Sequence, residues 1–189
     1  MIRKTQEGLF ELNNDLIDAN ILEANASELS QTLEVAEEAL LTEASRHRTA
    51  KNAARILVAK GIGFVIPTAA QKRILLVAFA KKNKVIYGKA FDIIKVIGQV
   101  DLDSREDVEK QLARIVLYEV KSTSKNNVAS DFGKYFFALS TAELLVAQNL
   151  KAHYKFVFVN TKTKEHLELT LSEIFAKAKG IYPVWSIMF

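Results

Sequence analysis

The triplet Glu119-Val120-Lys121 closes a strongly apolar segment, and its two charged side chains are spaced to act together. Residues 115–120 are rich in β-branched and aromatic types, which predicts a strand there. Side chains two positions apart share one face of a strand, so the Glu119 carboxylate and the Lys121 ammonium lie about 7 Å apart along it. Charged groups are costly to bury unless they are paired or bound to a ligand. The triplet therefore predicts either a ligand site or a salt bridge at a surface strand end.

A second acid, Asp92, stands at the start of another apolar segment that runs from Phe91 to Ile97. If this segment is a strand beside 115–120, Asp92 and Glu119 converge. Two converging carboxylates suit a hard divalent cation such as Mg²⁺, which polarises a phosphoryl oxygen and activates water. Lys121 would then hold the attacking water or offset the charge that develops on the phosphate.

The elements that must position these residues are readable from local signals. Residues 7–60 follow a helical spacing, with Leu29, Leu33 and Leu40 on one face. Three capping boxes predict helices over roughly 69–82, 140–151 and 170–179, and further strands are expected at 156–160 and 166–169. We predict an α/β (mixed α+β) fold in which a central mixed sheet is flanked by helices and preceded by a helical N-terminal extension.

The spacing of Asp92, Glu119 and Lys121 resembles the D…(D/E)-x-K signature of the PD-(D/E)XK nucleases, the superfamily of type II restriction endonucleases. The resemblance covers roughly residues 69–160, because strand, E-x-K strand, helix and strand follow in that family's order. The family often has proline before the first acid, where this chain has Phe91. Glu119 is the only one of the 22 acids with a lysine two positions later.

The resemblance implies a fold, a metal and a reaction. It implies that Asp92, Glu119 and the main-chain carbonyl of Val120 bind Mg²⁺ and that Lys121 is catalytic, in a core at 61–189. The expected activity is site-specific cleavage of double-stranded DNA to 5′-phosphate and 3′-hydroxyl ends. Repair, junction-resolving or RNA-directed nucleases of the same superfamily remain open, as does a catalytically inert nucleic-acid-binding protein.

The overall organisation is expected to be one domain over 1–189, with 1–60 serving dimerisation and DNA contact. A chain of 189 residues with one candidate site would need a partner to cut both strands, so a homodimer is expected.

Charge is distributed unevenly, although the net charge is only +4. Residues 42–90 carry 11 basic groups and one acid, Glu43. A basic block of this kind predicts a polyanionic partner, and nucleic acid is the first candidate. For any single charged residue, a solvated surface position is the usual interpretation. Glu43 is either a helix-dipole partner or a further carboxylate of the site. Ser122, Thr123 and Lys125 either contact the DNA backbone or form a turn. The candidate DNA contacts are Arg46, Arg48, Lys51, Arg55, Ser122, Thr123 and Lys125.

Several classes of chemistry are disfavoured by what the chain lacks. It contains no cysteine, which excludes disulfides, thiolate metal sites and cysteine nucleophiles. The three histidines have no ligand spacing, and no phosphate-binding glycine motif occurs, so we expect no nucleotide cofactor. No secretory or membrane-spanning segment is recognisable, so we expect no membrane partner and a cytoplasmic location.

Overall fold

The structure, a computed structural model, describes residues 2–4, 10–12, 43–86, 90–133 and 135–181, with side chains from residue 49 onward. The chain divides into two compact units, Met1–Ala44 and Ser45–Phe189. In the first unit, strands β1 (Ile2–Lys4) and β2 (Phe10–Leu12) pair in antiparallel fashion.

The second unit is built on a five-stranded mixed sheet of order β3-β4-β5-β6-β7. Only β5 and β6 are parallel; the other neighbours run antiparallel. A parallel pair requires a crossover connection, and α4 supplies it. The elements are α1 (Glu43–Ala59), β3 (Phe64–Val65), α2 (Ala69–Lys81), β4 (Ile93–Val96), α3 (Arg105–Lys110), β5 (Ile115–Thr123), α4 (Thr141–Leu150), β6 (Tyr154–Asn160), β7 (His166–Leu169) and α5 (Leu171–Lys177).

The sheet is covered on both faces, which explains why its central strands are apolar on both sides. One face, here called the α4 face, carries Leu117 and Phe156 in a core with buried residues of α2, α3, α4 and α5. The other, the α1 face, carries Tyr118 and Val157 in a separate core. That second core is closed by the apolar stripe of α1, which consists of Ala53, Ala54 and Leu57.

Helix starts follow the sequence closely because they are fixed by local hydrogen bonds. The capping boxes of α2, α4 and α5 are all formed, at Thr68, Ser140 and Thr170. For α3 the cap is Ser104, whose hydroxyl accepts from the Asp107 N–H at 3.2 Å. The neighbouring Asp103 accepts instead from Gln71 Nε2 at 3.1 Å.

The predicted fold class is confirmed as a mixed sheet flanked by helices, and two local expectations are corrected. Phe10–Leu12 is a strand, although helix was predicted from residue 7, because its backbone pairs with β1. The division between the two compact units falls at residue 44, and the apolar stripe of α1 packs on the sheet of the second unit. Strand β5 continues through Thr123, in register with β6, where a turn was expected. The predicted helix over residues 13–42 lies outside the described residues.

Candidate active site at the ends of two adjacent strands

Strand β5 carries Glu119 and Lys121 side by side on the α4 face. Leu117 precedes them on that face and is fully buried in its core, whereas Tyr118 and Val120 point into the α1-face core. The alternation predicted from the sequence is therefore the observed one. The two side chains are mostly buried, with 12% of Glu119 and 14% of Lys121 exposed, and Lys121 Nζ lies 3.1 Å from Glu119 Oε1.

Asp92 stands immediately before β4, which is the antiparallel neighbour of β5. Its main-chain N–H donates to the Tyr118 carbonyl at 2.9 Å. Its side chain continues the hydrogen bonding to β5, because Asp92 Oδ2 accepts from the Val120 N–H at 3.0 Å. The N–H and C=O of one strand residue point to the same edge. The Val120 carbonyl is thus directed to the edge where Asp92 lies.

A third acid, Glu143, reaches the same cluster from the first turn of α4. Both of its carboxylate oxygens contact Lys121 Nζ, at 3.0 and 2.9 Å. Sequence reasoning treated Glu143 only as the capping-box partner of Ser140. Its contact with Lys121 could have been inferred only from the topology. A crossover helix begins near the carboxyl end of the strand that it follows, and that end of β5 carries Lys121.

Two acidic side chains, Glu119 and Glu143, therefore contact Lys121, and the third, Asp92, is close enough to Glu119 to act on its pKa. Burial raises the pKa of Glu119 to about 9; Lys121 opposes this effect, and the negative charges of Asp92 and Glu143 reinforce it. Burial likewise raises the pKa of Tyr154, with Glu119, Glu143 and Asp92 acting in the same direction. The excess of negative over positive charge favours the approach of a cation.

The segment that leads into Asp92 is anchored from two elements. Lys72 of α2 donates to the Phe91 carbonyl at 3.0 Å and lies over the Phe91 ring. The Tyr154 hydroxyl, at the start of β6, donates to the Ala90 carbonyl. Neither contact was anticipated from the sequence. They fix the backbone on which the Asp92 carboxylate depends.

The donor set suits Mg²⁺. Asp92 and Glu119 offer carboxylate oxygens and Val120 a carbonyl, all of them hard ligands. Among the described residues, no group of three or more His, Asp or Glu side chains forms a metal cage. Mg²⁺ usually binds through one or two carboxylates, with waters and substrate phosphates completing its shell. Two acids and one carbonyl therefore fit this ion.

The candidate DNA contacts on α1 lie away from this cluster. Lys51 and Arg55 are exposed, on a helix that packs against the α1 face, whereas Glu119 and Lys121 occupy the α4 face. The structure does not bring the two sets together. Arg46 and Arg48 belong to the same helix, and their side chains, like that of Glu43, lie outside the described residues.

The candidates that follow β5 separate into buried and exposed positions. Thr123 is 6% exposed, and its carbonyl accepts from the Thr161 N–H at 2.8 Å. Thr123 therefore presents little surface for contact with DNA, because the longer β5 buries it. Ser122 is half-buried, and its carbonyl accepts from the Tyr135 hydroxyl at 2.8 Å. Lys125 is exposed.

No protein-family model, curated protein or solved structure matches the chain. Within the described residues, no helix combines the length and the apolar character that crossing a bilayer requires.

Proposed function

We propose that the chain is a Mg²⁺-dependent endonuclease of the PD-(D/E)XK type that hydrolyses phosphodiester bonds in double-stranded DNA. One observation carries the proposal. Asp92 precedes β4 and accepts from the Val120 N–H, while Glu119 and Lys121 lie on the adjacent β5, so that two carboxyl groups and a lysine lie close together where the two strands pair. The order of these strands, followed by α4 and the parallel strand β6, supports the same family.

In this proposal each residue has a role that follows from its chemistry. Asp92, Glu119 and the Val120 carbonyl would hold the ion. A bound Mg²⁺ would polarise a phosphoryl oxygen and lower the pKa of a coordinated water. Lys121 would donate to the attacking water or to a phosphate oxygen, so that its charge offsets the charge that develops there. The products would carry 5′-phosphate and 3′-hydroxyl ends.

The biological form we propose is a type II restriction enzyme acting in the cytoplasm as a homodimer. One chain offers one such site, and two-fold symmetry would match a palindromic target. Lys51 and Arg55, both exposed on α1, are the described residues that we assign to contact with the DNA backbone. Arg46, Arg48 and Lys125 belong to the same proposal.

A second candidate is a catalytically inert nucleic-acid-binding protein, and the ion-pair geometry favours it. An ammonium has three N–H donors. Lys121 Nζ has three carboxylate oxygens within 3.1 Å, from Glu119 and Glu143. A lysine satisfied in this way can serve structure alone, and it must exchange at least one contact before it touches a substrate.

Cleavage assays with matched variants separate these functions. Supercoiled plasmid, phage DNA and structured RNA are incubated with the wild type in Mg²⁺ and in EDTA, and with Lys121→Ala and Lys110→Ala in Mg²⁺. Lys110 is an exposed lysine at the end of α3 and serves as the control. Discrete DNA fragments that require Mg²⁺ and Lys121 but not Lys110 are expected. Cleavage of RNA or of branched DNA alone would select the related nucleases, and binding without cleavage the inert protein.

A further inference from the structure

Among the described residues, Glu143 is the one acid at the site that the D…E-x-K pattern does not include, and it makes several specific contacts. Its side chain is 13% exposed, and both oxygens contact Lys121 Nζ. Oε2 also accepts from the Ser140 N–H at 3.0 Å, as the capping box of α4 requires. One carboxylate thus fastens the lysine to the first turn of a helix.

We infer that Glu143 is a positioning residue for Lys121: it holds the ammonium through two contacts, so that the lysine can exchange its contact with Glu119 for one with the scissile phosphate in one geometry. The inference rests on the proposed function. A long lysine side chain has four rotatable bonds and loses much entropy when it is held in one place. Glu119 alone offers Lys121 a single contact at 3.1 Å, and Glu143 adds two more from another element.

The capping box makes this position rigid. The Ser140 hydroxyl accepts from the Glu143 N–H at 3.2 Å, while Glu143 Oε2 accepts from the Ser140 N–H. The backbone of α4 therefore determines where the Glu143 carboxylate can be. Its neighbours Val146, Ala147 and Leu150 anchor the helix in the α4-face core. Lys121 is thereby held to the sheet by Glu119 and to a packed helix by Glu143.

The two roles of Glu143 can be separated by substitution. Gln is an accepted partner in a capping box, so Glu143→Gln retains the cap but replaces the bidentate ion pair by a neutral contact. Ser140→Ala does the opposite: it removes the hydroxyl cap but retains the backbone N–H and the carboxylate. The chain also offers a matched control in Glu173, which occupies the same capping-box position in α5 and accepts from the Thr170 N–H at 2.7 Å.

The test compares cleavage rate, DNA affinity and thermal stability in the four proteins. Plasmid nicking is followed in Mg²⁺ at saturating protein, DNA binding in EDTA, and unfolding by calorimetry. We expect Glu143→Gln to lower the rate constant about 10- to 100-fold, as removal of supporting partners at metal sites does, with DNA affinity changed less than about 2-fold. Glu173→Gln, which retains its capping box, should keep the wild-type rate and nearly the wild-type melting temperature. Ser140→Ala should lower the melting temperature at least as much as Glu143→Gln does, but it should lower the rate much less, because the ion pair between Glu143 and Lys121 remains.

Two kinds of failure can be told apart. If the wild type cleaves and Glu143→Gln cleaves as fast, the inference is wrong while the nuclease stands. The same holds if the rate falls in step with stability across all three variants, because that pattern indicates a structural role for Glu143. If the wild type cleaves no nucleic acid in Mg²⁺, the proposed function is wrong, and the inference is overturned with it.

Discussion

Removing the Lys121 ammonium should destabilise the protein, because it would leave the mostly buried Glu143 carboxylate without its cation and beside Glu119, whose pKa is already raised by burial. The side chains of Lys121, Glu119 and Glu143 are 14%, 12% and 13% exposed. Breaking a fully buried ion pair by deleting one partner costs about 3–5 kcal/mol, whereas an exposed pair is worth less than about 1 kcal/mol. With roughly an eighth of each side chain in water, we expect Lys121→Met to lower the free energy of unfolding by about 2–4 kcal/mol.

The double variant Lys121→Met/Glu143→Gln provides the internal check. Glu143→Gln alone should cost about 1 kcal/mol, because Lys121 keeps its contact with Glu119. In the Lys121→Met background the same change removes an unpaired negative charge, so it should cost nothing or restore stability. The expected coupling free energy is at least about 1 kcal/mol.

Urea unfolding followed by far-UV circular dichroism, at neutral pH and without Mg²⁺, measures all four proteins. The dependence of the unfolding free energy on urea should be equal among them, which shows that the comparison is between similar folded and unfolded states. A loss below about 1 kcal/mol for Lys121→Met would contradict the ion pair described here, since that is the value of an exposed pair. Strictly additive effects of the two substitutions would contradict it too.

Three further predictions concern the metal, the basic helix and the opposite face of the sheet. At a Mg²⁺ concentration ten times its dissociation constant, the free energy of unfolding of the wild type should rise by about 1.4 kcal/mol. This corresponds to a rise of about 3–6 °C in the melting temperature measured by calorimetry. An equal rise in Asp92→Asn would exclude Asp92 as a ligand. Lys51→Ala/Arg55→Ala should reduce the salt slope of DNA binding by about 1.8, the value for two lost phosphate contacts, and an unchanged slope would rule out that interface. Burial tends to raise the pKa of Glu168, but hydrogen bonds from Lys95 and Tyr118 outweigh it and leave the pKa lowered. The stability that Glu168 contributes is therefore present at neutral pH and lost as the pH falls below about 4.5 through the lowered pKa. The loss in free energy of unfolding caused by Glu168→Gln, measured by urea unfolding, should shrink between pH 7 and about pH 3. A loss that does not change with pH would contradict an origin in the charge of Glu168.

Local signals in the sequence were sufficient for most elements of the sheet and its helices. The capping boxes at Thr68, Ser140 and Thr170 were readable because each depends on residues three apart. Strand β5 was readable because its apolar residues form an almost unbroken run. The end of β5 at Thr123 could not be predicted from the sequence, because the last residues are polar and are held by pairing with β6, which comes 31 residues later.

The composition of the site was only partly readable, for a related reason. Glu119 and Lys121 are two residues apart on one strand, so their proximity follows from the strand period. The contact between Lys121 and Glu143 spans 22 residues and exists only because α4 returns over the α4 face. The hydrogen bond from Lys72 to the Phe91 carbonyl depends on the packing of α2 in the same way. No rule based on the spacing of residues along the sequence predicts either contact.

The position of α1 changes what its positive charge can do. A helix with its side chains is about 10 Å across, so the exposed side of α1 lies a full helix beyond the sheet, on the face opposite to Glu119 and Lys121. In the proposed complex with DNA, the phosphates held by Lys51 and Arg55 would therefore not be those beside the scissile bond. A duplex that contacts both sets must pass around the end of the sheet, or the two contacts must fall on different protomers of a dimer. In either arrangement of the proposed nuclease, the basic helix would contribute affinity rather than chemistry, and the charges acting on the reacting phosphate would be those of Lys121 and the proposed cation.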